Sequence, residues 1–359
     1  MSLPPLDSLD PRRFDAPDIL RGVARAGRSL AELKGAAASL PNSGILLSTL
    51  PLQEARDSSA IENIVTTQDE LFRETAAVEG TANPAAKEVV RYERALRRGF
   101  DEVVRTGLLT SRHIQVIQAE LEQHQAGFRR LPGTVLRDHE GRVIYTPPQD
   151  PSEVTRLMHE LEQFMHADPP FAVDPLVRMA LIHHQFESIH PFYDGNGRTG
   201  RIVNVLCLVK EGLLDLPILY LSRHIVRTKP RYYELLQAVR ERDAWDAWVT
   251  YILEAVDATA RDALSTVQAI RTLLQTVKHE IRSRHRFYSH DLLNSLFCHP
   301  YTRIQFIEQE LGVSRITATR YLDLLVEDGV LAKVRTGRSS LYVNERLVDI
   351  LSGHRSANR

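Results

Sequence analysis

Apolar positions recur at helical spacing along most of the chain. Leu20, Val23, Leu30 and Leu33 predict a helix from Ile19 to Leu40, which Pro41-Asn42-Ser43-Gly44 breaks. Further helices are expected over Gln68–Arg73, Pro84–Val104 and Ser111–Gln123, the last capped by Thr110 or Ser111. Asp150-Pro151-Ser152-Glu153 sets a cap, a first-position proline and a third-position glutamate in register for a helix to about His166. Asp174-Pro175 opens another, with Leu176, Val177, Ala180, Leu181 and His184 on one face, and it delivers the chain to His190. A long helical run from Ala244 to about Arg282 carries Trp245, Trp248, Tyr251, Ile252 and Val256. The period breaks at Gly133–Tyr145, where two β-prone runs flank a polar turn with glycine. That is a hairpin signal, and Pro147-Pro148 ends it. Residues 1–17 are rich in Pro and Asp and read as extended. The expected fold class is mainly α: a helical bundle with one β-hairpin.

Leu50–Ile64 reads as a helix boundary, because Ser59-Ala60-Ile61-Glu62 spells a capping box with serine as the cap. From His285 the texture changes. Arg282, Arg284 and Arg286 mark a boundary, and three short helices follow over Leu292–Phe297, Thr302–Leu311 and Val313–Asp328. Gly312 in the turn and Ser314 as the next cap give helix-turn-helix spacing. Val330-Leu331 and Leu341-Tyr342-Val343, bridged by Arg335-Thr336-Gly337-Arg338, read as a β-wing, so this end resembles a winged helix. Three regions result: residues 1–105, helical, with a distinctive segment at about 51–64; residues 106–282; and residues 283–359.

Composition narrows the function classes. The 359 residues are 43% hydrophobic and 25% charged with a formal net charge of −1, so no global basicity argues for wrapping nucleic acid. The balance is uneven: from Ile281 onward 12 Lys and Arg face 8 Asp and Glu, +4, which leaves −5 for the remainder. Cys207 and Cys298 stand too far apart for a zinc pattern or a disulfide framework and read as buried thiols in a reducing compartment. Met1-Ser2-Leu3-Pro4-Pro5 does not resemble a signal peptide, and no uncharged apolar run approaches a membrane span, so the expected location is cytoplasmic.

The chemistry concentrates in His190-Pro191-Phe192-Tyr193-Asp194-Gly195-Asn196-Gly197-Arg198-Thr199-Gly200-Arg201. Within twelve residues stand a titratable base, a carboxylate, three glycines and two arginines one helical turn apart. An apolar run, Ile202–Val209, follows as if a helix starts there with its N-terminus toward an anion. By letters Gly195–Gly200 also matches a dinucleotide fingerprint, with Asp215 twenty residues on. However, the preceding His183–Ile189 continues a helical pattern instead of a strand, and no βαβ series surrounds it. A zinc site from His183, His184 and His190 has no supporting spacing. What remains is a phosphate site with a general base: His190 to take a proton, Asp194 to hold Mg²⁺, and the Gly195–Gly197 N–H groups to stabilise developing charge.

This stretch resembles the Fic-domain signature at every defining position. Ser58-Ser59-Ala60-Ile61-Glu62-Asn63 is similar to that family's inhibitory motif, Ser/Thr-x-x-x-Glu-Gly/Asn, and Val143–Pro148 to its target-docking flap. Leu219–Ser222 and Arg231-Tyr232-Tyr233 resemble the segments beyond the core. The resemblance implies a Fic-type bundle and transfer of AMP from ATP to a Ser, Thr or Tyr hydroxyl of a target protein or of the chain itself. It implies His190 as the base, Asp194 as the Mg²⁺ ligand, and Asn196 with Gly195 and Gly197 as the anion cradle within a nucleotide site continuing through Thr199 and Gly200. Arg198 falls on the β-phosphate side and Arg201 on the γ-phosphate; Tyr232 and Tyr233 border the adenine. The flap around Thr134, Val135, Ile144 and Tyr145 would pin the target as an added strand. Ser58, Glu62 and Asn63 become an inhibitory segment in which Glu62 competes with ATP for Arg201.

Two rivals stand beside transfer. Within the fold, the same glutamate could serve AMP removal, or another phosphate-containing group could be moved. Of a different class is a nucleotide-sensing DNA-binding regulator, with Arg315, Thr317, Thr319 and Arg320 on the recognition helix and Arg335 and Arg338 on the wing. No membrane association is expected, and a homodimer is compatible with the sequence.

Overall fold

A computed structural model describes residues 3–76, 83–137, 140–168, 171–336 and 339–353. Two short 3-10 turns, Leu6–Ser8 and Pro11–Asp15, stand where an extended N-terminus was expected. Five helices follow: α1 (Pro17–Ala38), α2 (Gly44–Ile61), α3 (Gln68–Thr75), α4 (Pro84–Thr106) and α5 (Ser111–Glu122). A hairpin of β1 (Leu136–Arg137) and β2 (Val143–Tyr145) leads to α6 (Pro151–Met165), α7 (Pro175–Ile189) and α8 (Asn196–Lys210). α9 (Ser222–Arg227), α10 (Lys229–Arg242) and the 40-residue α11 (Trp245–Arg284) complete the bundle.

The predicted starts are built as the letters suggest. Asn83, Asp150 and Asp174 each accept a backbone N–H two residues on, with proline at the first helical position. Thr110, not Ser111, caps α5.

The capping box at Ser59–Glu62 is overturned. Ser59 lies in the last turn of α2, whose end is Ile61, while the working capping box is Thr67 with Glu70 at the start of α3. The helix runs on because Pro51 does not break it. Pro51 has no N–H for the Leu47 carbonyl, and Arg97 from α4 donates to that carbonyl instead, at 2.8 Å. Glu62 is thereby delivered to the far end of an unbroken helix.

α7 and α8 lie at the centre. Every residue of α7 from Leu176 to Ile189 is buried, and so is most of α8, the polar side chains of both helices included. α4, α5 and α6 pack against this pair, as does α11, along which α1 lies. Beyond α11 come α12 (His290–Cys298), β3 (Tyr301–Thr302), α13 (Ile304–Leu311), α14 (Arg315–Glu327), β4 (Ala332–Thr336), β5 (Ser339–Val343) and α15 (Glu345–Ser352). Thr302 belongs to a strand rather than to the helix expected from it. The strands form an antiparallel sheet in the order β3-β5-β4, pairing Tyr301 with Val343 and Ala332 with Val343.

This C-terminal unit sits against α2 and α3: the Tyr301 hydroxyl donates to Asp69 (2.6 Å), and Tyr301 stacks on Phe72. Among the described residues no helix is long and apolar enough to cross a membrane.

Candidate functional site

α7 ends on His190, which adopts a left-handed conformation (φ 49°) and whose N–H closes the helix on the Phe186 carbonyl. For a residue with a side chain this is uncommon backbone, and it turns the chain sharply toward α8. The turn is held from outside. Arg129 donates through Nε to the His190 carbonyl (2.9 Å) and through Nη2 to the carbonyls of Ile189 (3.3 Å) and Pro148. Asn196 holds it from within. Its Oδ1 accepts from Phe192 N–H and its Nδ2 donates to the Phe192 carbonyl, both at 2.8 Å, so its side chain is committed to the loop.

α8 begins at Asn196, six residues before the apolar run suggested, because Gly195 takes the left-handed cap conformation (φ 74°) that frees the first N–H groups. Those N–H groups form the positive end of a helix. Asp194 is exposed beside them, and its Oδ1 accepts from Gly195 N–H (2.7 Å). Among the described residues no group of three or more His, Cys, Asp or Glu is arranged around a metal position. A divalent cation here would thus rest on Asp194, water and phosphate oxygens, which suits Mg²⁺.

His190 Nδ1 is buried without a hydrogen bond among the described residues, which leaves Nε2 as the ring nitrogen available to a reactant. Burial pushes the ring down to about 4, with Arg129 and Arg240 acting in the same direction; the approaching Glu187 carbonyl favours the proton without completing a bond. At neutral pH His190 is therefore an uncharged base.

The two arginines of α8 are both engaged. Arg198 bonds Glu88 of α4 through Nη1 and Glu122 of α5 through Nη2, the latter at 2.9 Å. Arg201 is 1% exposed; its Nε donates to Ser58 Oγ (2.7 Å) and its Nη2 to the Ser58 carbonyl (3.1 Å) and to Glu62 Oε1 (2.8 Å). Burial opposes the charge on each partner, yet the pair wins: Glu62 holds Arg201 firmly protonated, and Arg201 draws Glu62 below its ordinary carboxylate range. Asn63 takes the left-handed turn after Glu62 (φ 64°), and its Oδ1 accepts from Lys229 (3.2 Å).

Tyr232 is buried, with its hydroxyl on His183 Nε2 (2.8 Å) and its ring among Tyr233, Trp248 and Tyr251. Tyr233, 40% exposed, is the ring left open beside it. His183 and His184 are core groups, both pushed to about 3 by burial first. In the flap, Leu136 pairs with Tyr145, and Thr134 and Val135 lead into β1. Ile144 and Val143 face solvent, and the Ile144 carbonyl accepts from Gln237 of α10 (3.1 Å). The Tyr145 hydroxyl donates to the Ser188 carbonyl (2.9 Å) under the Arg240 guanidinium, tying the flap to α7. Asp138, His139 and Arg338, which the sequence places on a wing, lie outside the described residues. Arg315, Thr317, Thr319 and Arg320 all fall on α14, next to the exposed Ile316, and Arg335 on β4.

Sequence reasoning missed Arg129, Glu88, Glu122 and Glu187. Glu187 is buried on the last turn of α7, and burial raises it to about 7. For Glu187 a signal existed: it is the lone acid of the helix that delivers the base, three residues before it. The others come from distant helices or, for Arg129, from the loop before β1, and carry none.

Three family models match the chain in succession: "Fic/DOC family N-terminal" over residues 20–101, "Fic/DOC family" over 108–208, and "Protein adenylyltransferase SoFic-like, C-terminal domain" over 273–347. Among curated relatives, Protein adenylyltransferase Fic of Culex quinquefasciatus is 31% identical over 112 residues, 31% of this chain and 21% of that protein. Protein adenylyltransferase fic-1 of Caenorhabditis elegans is 27% identical over 180 residues, 48% of this chain and 32% of that protein. The match thus spans about a fifth to a third of the length of these relatives. In fold, the chain is similar to a Fic family protein from Desulfovibrio desulfuricans G20, with a TM-score of 0.59 at 20% identity, over 95% of this chain and 98% of that one. It is also similar to a Fic-1 fragment from C. elegans, with a TM-score of 0.53 at 19% identity, over 72% and 76%.

Proposed function

The chain is a Fic/DOC-family protein with a SoFic-like C-terminal domain, and we propose on that premise that it transfers AMP from ATP to a protein hydroxyl and is held off by Glu62. The observation that carries this reading is the bond from Glu62 to Arg201, on the helix whose N-terminus, Asp194 and His190 form the anion site.

ATP would lie with its phosphates across the start of α8. Its α-phosphate takes the N–H groups of Gly195 to Gly197, Arg198 borders the β-phosphate side from a fixed position, and the γ-phosphate takes Arg201. Asp194 would hold Mg²⁺, which would supply positive charge to offset that of the phosphates. Tyr233, with Tyr232 behind it, borders the adenine, and Thr199 and Gly200 line the helix below. The target chain adds to the flap, where Val143 and Ile144 are exposed. His190 Nε2 removes the proton of the target hydroxyl, its oxygen bonds the α-phosphorus, and pyrophosphate departs. A base neutral at pH 7 is ready for that step without prior deprotonation.

In the observed state Glu62 occupies the guanidinium that the γ-phosphate needs, with Ser58 holding its other edge and Asn63 turning the chain away. Incubation with ATP and Mg²⁺ followed by intact-mass analysis tests the reaction: a gain of one AMP on the protein or a lysate partner is expected, and none with His190→Ala. An equal gain in that variant would reject the assignment.

A further inference from the structure

Glu187 is a buried acid beside the centre to which the reaction above gives no task. It stands three residues before His190, and its Oε1 has no hydrogen-bond partner among the described residues.

The helix opposite makes room for it. A Cβ on Gly200 would stand 2.7 Å from Glu187 Oε1, while a Cβ on Gly197 would stand 2.5 Å from Glu62 Oε1 and 2.9 Å from Arg201 Nη1. Glycines three positions apart share a helix face. Two carboxylates, Glu62 at Gly197 and Glu187 at Gly200, therefore lie against the face of α8 onto which the Arg201 guanidinium folds back. The charged and titratable groups that face Glu187 are Arg201 of α8, Glu62 after α2, and Arg240, Tyr232 and Tyr233 of α10. With Glu62 in place, Arg201 is compensated and the second carboxylate is surplus. With Glu62 withdrawn, a buried guanidinium needs another anion, because an unpaired buried charge is costly.

Resting on the nucleotide reading above, we propose that Glu187 is a positioning residue. It is the counter-ion of Arg201 while Glu62 is withdrawn and no nucleotide is bound, and it takes up a proton when a nucleotide phosphate replaces it. The signs agree. Burial first, and then Glu62, favour its protonated form, while Arg201 and Arg240 oppose it, for a balance at about 7. Withdrawal of Glu62 removes a like charge and favours ionisation. An arriving phosphate restores the like charge and favours the acid, with the proton drawn from solvent. Nucleotide binding then weakens as pH rises.

The test uses the full-length Glu62→Gly/His190→Ala protein, which binds without transferring, with and without Glu187→Gln. MgATP is titrated by calorimetry at pH 7 in two buffers of different ionisation heat, and again at pH 8. Proton uptake by ATP itself is common to both proteins, so the difference isolates Glu187. Roughly half a proton more is expected with Glu187 present at pH 7, and an affinity falling about threefold to tenfold per pH unit above 7 that Glu187→Gln abolishes. Equal uptake and equal slopes would overturn the proposal. No binding heat in either protein would instead overturn the nucleotide reading itself. Should Glu187→Gln not fold, infrared difference spectra of the Glu187-bearing protein decide: ATP should induce a protonated-carboxyl band, and its absence rejects the role.

Discussion

Arg198 and Arg201 stand one turn apart on the same buried helix, and both are paired with carboxylates, yet their surroundings differ. Arg198 is clamped by Glu88 and Glu122, which project from α4 and α5 and belong to the body of the bundle. Arg201 meets Glu62, which sits just past the end of α2 and keeps 36% of its side chain exposed. Higher up, α2 is fixed: buried Glu54 accepts from Ser222 N–H (3.0 Å) and from the Tyr92 hydroxyl (3.2 Å). Only its last residues meet Arg201. The same ion-pair chemistry serves as a strut where the carboxylates stand within packed helices, and as a removable contact where the carboxylate lies past a helix end.

Deleting each arginine should separate the two most widely. Arg198→Ala strands one largely buried carboxylate, Glu122, and one part-buried, Glu88, and is expected to lower unfolding free energy by about 2–3 kcal/mol. Arg201→Ala should cost clearly less, since Glu62 can turn to solvent, while AMP transfer falls roughly 10²-fold or more through the lost phosphate contact. Urea midpoints and transfer rates measured on both proteins check this, and equal stability losses would erase the distinction. A finer probe is Ser58→Ala, which removes one of the Arg201 contacts but keeps the Ser58 carbonyl. A net contribution of about 0.5–1 kcal/mol predicts a twofold to fivefold rise in transfer. A fall would place Ser58 in the productive state instead.

The smallest expected change is with acid. Protonation of His190 is suppressed to about 4, so kcat of the Glu62→Gly protein at saturating ATP should hold nearly constant from pH 7 to 5.5. An ordinary histidine would lose about eightfold over that interval.

How much of this could be read from the letters follows from how each part is made. His190 to Arg201 is contiguous, so its glycines, base and carboxylate announce themselves together. The helix starts at Asp150 and Asp174 were legible because a cap acts within four residues. Ser59–Glu62 shows where local reasoning fails. Its four letters spell a start, but α2 passes Pro51 because Arg97, 46 positions on, supplies the donor that proline lacks. Glu88 and Glu122 were invisible for the same reason, as an exposed acid on an amphipathic helix and a clamp for Arg198 read alike until helices pack. Arg129, which pins the His190 turn, looks like any loop arginine.

The most direct measurement compares AMP transfer from labelled ATP by the natural chain and by Glu62→Gly at the same ATP and Mg²⁺ concentrations. A charge-assisted contact of about 1.5–3 kcal/mol, discounted to roughly 1–2 for its exposed edge, predicts a rise of about fivefold to thirtyfold. Unchanged or lower transfer in Glu62→Gly would contradict the account, because Arg201 would then not be the contact that keeps the enzyme off.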